Sequence, residues 1–181
     1  MNKCIQIDEK VSLKLLEQSH TTEIFNLVDN DRPYLSKWLP WVSSVEEPED
    51  SLKFIEDRIK DFEAGTVYGF GIFINDTLAG HSGLHLNKSG DGKAEIGYWV
   101  SSEYAGHGLA TKAAGALTIL ALNELRISEV VIKARTTNEA SNRVAEKLNY
   151  TITSQEDRED VGGLVNVWSK NIRHIRCAFW T

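Results

Sequence analysis

Glu95-Ile-Gly-Tyr-Trp-Val-Ser-Ser-Glu-Tyr-Ala-Gly-His-Gly-Leu-Ala-Thr-Lys112 decides how the rest of this chain is read. Ala94, Ile96, Tyr98 and Val100 alternate with Lys93, Glu95, Gly97 and Trp99, the period of a strand. Gly106 and Gly108 interrupt that pattern. From Leu109 the apolar spacing becomes three or four: Leu109, Ala113, Ala116, Leu117, Leu120, Ala121 and Leu125 share one helix face. The order is strand, glycine turn, helix.

Such a junction can bind an anion. The first N–H groups of a helix lack intrahelical acceptors, and the helix dipole adds partial positive charge there. Glycines before the helix let backbone amides approach a phosphate. Gly106, His107, Gly108, Leu109 and Ala110 are candidates to cradle a diphosphate, with a hydroxyl from Thr111 and a charge from Lys112. The same glycines also suit an ordinary strand-to-helix turn that needs positive φ, and spacing alone leaves both readings open.

Tyr104-Ala-Gly-His-Gly-Leu-Ala110 resembles motif A of the GCN5-related N-acetyltransferases (GNAT), written Q/R-x-x-G-x-G/A. Gly108 and Ala110 match its two small positions, while Ala105 stands where the family has Gln or Arg. Glu95-Ile-Gly-Tyr-Trp99 and Asn138-Glu-Ala-Ser-Asn-Arg-Val-Ala-Glu-Lys-Leu-Asn-Tyr150 resemble the RimJ/RimL-like branch, which acetylates protein N-termini, ribosomal ones included. The resemblance spans roughly residues 11 to 171. It implies acetyl-CoA as cosubstrate, and an acceptor that is a protein N-terminus, with a ribosomal protein as one candidate. It also implies an α/β (α+β) fold whose mixed sheet of about seven strands is splayed at the cofactor site and flanked by about four helices.

Length and composition agree with that size of fold. A chain of 181 residues with 41% hydrophobic and 25% charged residues suits one globular domain over residues 1–181, with its core at about 11–171. No apolar run approaches the roughly 20 residues of a membrane span. Met-Asn-Lys-Cys-Ile-Gln-Ile-Asp8 lacks a signal-peptide core, so a cytoplasmic protein is expected. Cys4 and Cys177 lie at opposite ends, and no close His or Cys pair suggests a metal site. A net charge of −6 argues against nucleic-acid binding and suits a cationic acceptor. A homo-oligomer is left open.

The remaining segments fit around the junction. Val11–Leu16 reads as a first strand, and Ile24, Phe25, Leu27 and Val28 as a short amphipathic helix. Tyr34-Leu-Ser-Lys-Trp-Leu-Pro-Trp-Val42 is either a hydrophobic lid or one wall of an acceptor cleft, where Trp38 and Trp41 pack on a peptide or hold a cation. The two roles are compatible. Pro48 opens a helix with Leu52, Ile55, Ile59 and Phe62 on its apolar face, and Gly65 ends it. Tyr68–Ile74 and Leu78–Leu86 form a hairpin about Asn75-Asp76. Within it His81 and His85 share a face, as half-buried or surface residues or with one lining the acceptor pocket, His85 being favoured. Val130–Ala134 should lie parallel to Lys93–Val100 across a right-handed helical crossover. Asn138–Leu148 is a helix, and a hairpin about Gly162-Gly163 follows.

A splay between the two parallel strands leaves backbone groups unpaired, and an amide-bearing pantetheine arm can fill the gap like a strand. Gly97 suggests a bulge or close approach. An N–H of Tyr98 or Trp99, beside Val100, is then free for a thioester oxyanion. The attacking amine must be neutral. At pH 7 that costs roughly 1 kcal/mol for an N-terminal amine and roughly 4–5 for a lysine, so a weak, water-relayed base suffices for the former. Glu95 is the candidate base, because family members carry a carboxylate on this strand, and Asp160 is the second. In the family an Asn at the position of Asn138 bonds the cofactor arm. The family's Tyr acid has no counterpart in Arg143-Val-Ala-Glu-Lys147, which makes Ser141 the candidate donor to the leaving sulfur. Each of these polar residues also fits a plain surface role. Two other functions compete: acetylation of a small amine such as a polyamine or aminoglycoside, and a non-catalytic acetyl-CoA-binding module, which Ala105 keeps open.

Overall fold

The computed structural model describes residues 2–87 and 89–171. Cys177 and the tail from His174 to Thr181 lie outside the described residues. The architecture is one eight-stranded mixed sheet in the order β1-β2-β3-β4-β5-β6-β8-β7. Its strands are β1 (Cys4–Gln6), β2 (Val11–Lys14), β3 (Val67–Ile74), β4 (Thr77–Leu86), β5 (Lys93–Val100), β6 (Glu129–Arg135), β7 (Thr151–Arg158) and β8 (Gly163–Asn171). Among the described residues five α-helices accompany it: α1 (Thr21–Asp29), α2 (Arg32–Leu35), α3 (Pro48–Ala64), α4 (Leu109–Ile119) and α5 (Glu139–Lys147). The eighth strand is β1, three residues too short to show a period.

Alternation along β5 sets the two layers. Ala94 and Ile96 are buried and, with Tyr98 and Val100, join a core with Leu109, Ala113, Leu117, Val144 and Ala145 of α4 and α5. Trp99, of opposite parity, joins Leu16, Ile24, Val28, Leu35, Val42 and Ile55 in the core beneath α1–α3. Each fully buried Leu or Ile in these layers contributes roughly 1.5–3 kcal/mol. Glu95 and Gly97 share the parity of Trp99, so they face the α1–α3 side.

The turns follow their residues. Asn75 and Asp76 both take positive φ, 47° and 64°, as a two-residue hairpin turn requires. Gly65 closes α3 at φ 68°, and Pro48 opens it. After α4 the helix widens into a π turn over Leu120–Glu124. Leu120, Ala121 and Leu122 are all buried, and three consecutive inward residues exceed what one α-helical face presents.

β5 and β6 are parallel, as the crossover requires, but pair only from Lys93↔Glu129 to Glu95↔Val131. β4 stays in register with β5 as far as Val100, with Gly83 opposite Gly97. The expected bulge at Gly97 is therefore absent. Register shifts lie instead between β3 and β4, at Ile72/Phe73, and between β7 and β8, at Ile152/Ser154. Among the described residues no helix is long and apolar enough to cross a membrane.

Candidate active site

The splay after Glu95 opens into a cleft of about 900 Å³. Its floor is β5 from Glu95 to Val100, and its far side is Lys133–Arg135 of β6 with the start of α5. One end is the Tyr104–Thr111 turn, and the other is the aromatic segment Tyr34–Trp41.

At the glycine end, Gly106 and Gly108 take φ of 81° and 76°, and no atom lies within 4 Å of a Cβ built on either. Gly108 is the N-cap of α4 and supplies no side-chain acceptor. Lys112 N donates to Gly108 O at 3.0 Å, which leaves the amides of Leu109, Ala110 and Thr111 without helical acceptors. Gly106, His107 and Gly108 donate no backbone bond among the described residues. An open, side-chain-free cradle with several unused donors fits a diphosphate. The amide of Ala105 differs, since it donates to Ser102 O at 3.2 Å.

Of the residues singled out from sequence, Trp38, Trp41, Glu95, Tyr98, Trp99, Val100, Ala105, Gly106, Gly108, Leu109, Ala110, Thr111, Asn138 and Ser141 line this cleft. Lys112, His107, His85 and Asp160 do not. Lys112 turns to the β1–β2 turn and pairs with Asp8 at 2.8 Å, a hydrogen bond that holds the Asp8 carboxyl at about 2. His107 points outward, its Nδ1 3.3 Å from Tyr104 O. His85 lines a smaller depression with Asp91, Lys93 and Glu129, on the far side of Glu95. Its ring leans over Gly83, and this desolvation, with Arg58, lowers its pKa although its outer edge meets water. Asp160 accepts from Arg158 Nε at 2.8 Å, and that bond lowers its pKa. It is an occupied ion-pair partner on the surface.

The two faces of the sheet carry different chemistry. Glu95 is exposed on the α1–α3 side, 3.8 Å from Lys133 Nζ, which lies 3.2 Å from Glu156. On the opposite side Tyr98 reaches the first turn of α5. Its hydroxyl is 3.0 Å from Ser141 Oγ and 3.2 Å from Ser141 O. Desolvation of the phenol outweighs that contact and raises its pKa to about 12. Asn138 caps α5 by accepting from Ser141 N at 3.1 Å. Behind the cap, Asn142 Oδ1 accepts from Asn166 Nδ2 and Trp168 Nε1, both at 2.9 Å, while its amide donates to Arg135 O and Asn138 O. These bonds fix the Arg135–Asn138 turn against β8.

Sequence reasoning missed the Tyr98 side chain and the bases of the cleft. Lys133, Arg135, Arg143, Lys147 and Arg158 line it, against Glu95 and Glu139. The acidic charge of the whole chain is thus not the charge of its cleft. The alternation of Lys133 and Arg135 with buried Ile132 and Ala134 was the available signal. Among the described residues no cluster of three His, Cys, Asp or Glu is placed to hold a metal.

Residues 10–151 match the acetyltransferase (GNAT) domain family. The chain is 28% identical over 145 residues to the ribosomal-protein-serine acetyltransferase of Escherichia coli (strain K12), covering 80% of this chain and 81% of that one. It is 30% identical over 149 residues to YdaF of Bacillus subtilis (strain 168), provisionally named a ribosomal N-acetyltransferase, covering 80% of each. Among solved structures it resembles RimL, a ribosomal L7/L12 α-N-protein acetyltransferase in complex with coenzyme A. The TM-score is 0.86 at 25% identity, over 93% of this chain and 98% of that one. The microcin C7 self-immunity acetyltransferase MccE, in complex with acetyl-CoA and AMP, shares the fold at TM-score 0.86 and 23% identity, over 95% and 98% of the two chains. Glycine cradle, splayed strands and matched family residues agree: this chain belongs to the GNAT acetyltransferases.

Proposed function

We propose that this protein transfers an acetyl group from acetyl-CoA to the N-terminal α-amine of a protein, of the ribosomal type. The observation that carries the reading is the continuity of the cleft, from the Gly106–Thr111 cradle through the β5–β6 gap to the aromatic segment. The names of the Escherichia coli and Bacillus subtilis relatives support the acceptor class.

When bound, acetyl-CoA supplies a thioester already activated toward an amine. Gly106, Gly108, Leu109, Ala110 and Thr111 hold the diphosphate by backbone donors, and Asn138 serves the pantetheine. The unpaired edge of β5 beyond Glu95 offers main-chain groups to the arm, and the N–H of Tyr98 serves the carbonyl oxygen, since that of Trp99 turns toward His81 of β4. Glu95 takes the proton of the amine through water on the α1–α3 side. Ser141 donates to the sulfur from the α5 side. In this reading the proton is removed and delivered on opposite faces of the sheet. Trp38 and Trp41 bound the acceptor.

The test is coenzyme A release with a panel of peptides and small amines. A Ser- or Ala-initiated peptide preferred over every polyamine and aminoglycoside is the expected result. Preference for a small amine overturns the acceptor class, and the lack of any acetyl-CoA binding heat or thermal shift overturns the whole reading.

A further inference from the structure

A phenol and a serine hydroxyl meet 3.0 Å apart where β5 and α5 line the cleft together, brought there by different elements. Tyr98 comes from β5, and Ser141 from the first turn of α5. Nothing in the fold requires this contact. Tyr98 could pack as Phe does, since its ring already joins the core with α4 and α5.

One phenolic proton has two possible acceptors here, Ser141 Oγ at 3.0 Å and Ser141 O at 3.2 Å. If Tyr98 donates to the carbonyl, the Ser141 hydrogen turns back toward the phenol oxygen. If it donates to Oγ, that hydrogen is free to point into the cleft. The second arrangement leaves little unsatisfied, because a first-turn carbonyl already accepts an intrahelical bond. A serine hydroxyl otherwise rotates among its wells, so directing its hydrogen requires a donor on the opposite side.

We propose that Tyr98 is a positioning residue for proton delivery: it donates to Ser141 Oγ and aims the Ser141 hydrogen at the departing sulfur. The inference rests on the role of Ser141 given above and adds the residue that orients it. As the amine nitrogen bonds the acetyl carbon and the carbon–sulfur bond breaks with its electron pair kept on sulfur, Ser141 gives its proton to that sulfur and recovers one from water. The hydroxide so formed is neutralised by the proton that Glu95 took from the amine. Tyr98 keeps its own proton throughout, consistent with a phenol raised by desolvation to about 12. Tyr98 therefore acts by orientation and polarisation.

The test uses Tyr98→Phe, Ser141→Ala and the double variant, with two independent readouts. The first is the pKa of the thiol of bound coenzyme A, followed by thiolate ultraviolet absorbance without turnover. The second is kcat and KM for acetyl-CoA, with the melting temperature as a check on the fold. Tyr98→Phe is expected to raise the bound thiol pKa by about one unit and lower kcat about tenfold, the worth of one hydrogen bond. KM and melting temperature should stay unchanged, and the double variant should be no slower than Ser141→Ala. If Ser141→Ala shifts thiol and rate while Tyr98→Phe shifts neither, or if the two losses multiply, the positioning role is wrong and the Ser141 reading stands. If Ser141→Ala changes nothing, both fall together.

Discussion

The guanidinium carbon of Arg135 stands 4.8 Å from the centroid of the Trp38 ring. Arg135 also donates to the carbonyl of Lys37, so one side chain of β6 holds the aromatic segment by ring and backbone at once. Its Nε is buried with no hydrogen-bond partner among the described residues. The contact joins the two walls of the cleft at its aromatic end.

Replacing Arg135 should therefore loosen the acceptor wall and spare the donor end. Arg135→Ala is expected to raise KM for a peptide acceptor about tenfold, the loss of a partly desolvated cation–π contact and one hydrogen bond. Arg135→Lys should recover little, since an ammonium lacks the planar fork. Steady-state kinetics with acceptor and acetyl-CoA varied separately decide it. A rise confined to KM for acetyl-CoA would contradict the placement.

Glu95→Gln should lower kcat about 100-fold near neutral pH, within the range of a general base. The deficit should shrink above about pH 8, where an N-terminal amine is already neutral. A pH–rate profile of both proteins shows whether the curves converge. Parallel curves would remove Glu95 from proton abstraction.

Gly108→Val should weaken acetyl-CoA binding more than it weakens the fold. Gly108 lies at φ 76°, where a β-branched residue is strained, and its missing Cβ leaves open the space the cradle needs. Calorimetry with coenzyme A, beside a thermal melt, separates the two effects. Lys112→Ala, in contrast, should leave that affinity within about twofold at physiological salt, because its ammonium is engaged by Asp8.

His81 predicts a pH-dependent stability. It is 7% exposed beneath α3, its ring 5.2 Å from Phe54, and desolvation followed by Arg58 and His85 lowers its pKa to about 3. Below about pH 6.5 the unfolded chain binds a proton that the folded one refuses. Stability from this residue is thus complete above about pH 6.5 and is lost as pH falls toward about 3, at up to about 1.4 kcal/mol per pH unit. Urea midpoints between about pH 7 and about pH 5 should fall less steeply in His81→Gln than in the parent.

Sequence revealed the fold where periodicity was strong. The Lys93–Val100 strand, the glycine turn, α4 and its parallel return strand all follow from spacing and from the hand of a crossover. β1 escaped because three residues carry no period, and the π turn because three buried residues in a row read as one more α-helical turn. The site divided differently. Backbone-built parts, such as the cradle at Gly106 and Gly108, were legible because glycines mark where main chain does the work. Side chains whose task depends on a partner distant in sequence were not. Lys112 meets Asp8 and Tyr98 meets Ser141, and no local pattern announces those pairings.

Three residue pairs join β5 to β6, and beyond Glu95 the ladder stops. In the free protein, amides of Ile96–Val100 that turn away from β4 have no strand opposite them and should trade hydrogen for deuterium quickly. An amide-bearing guest lying in that gap would slow them. One of the two central strands of the sheet would then report its own occupancy, and one proteolytic fragment weighed before and after loading would show whether the groove is filled.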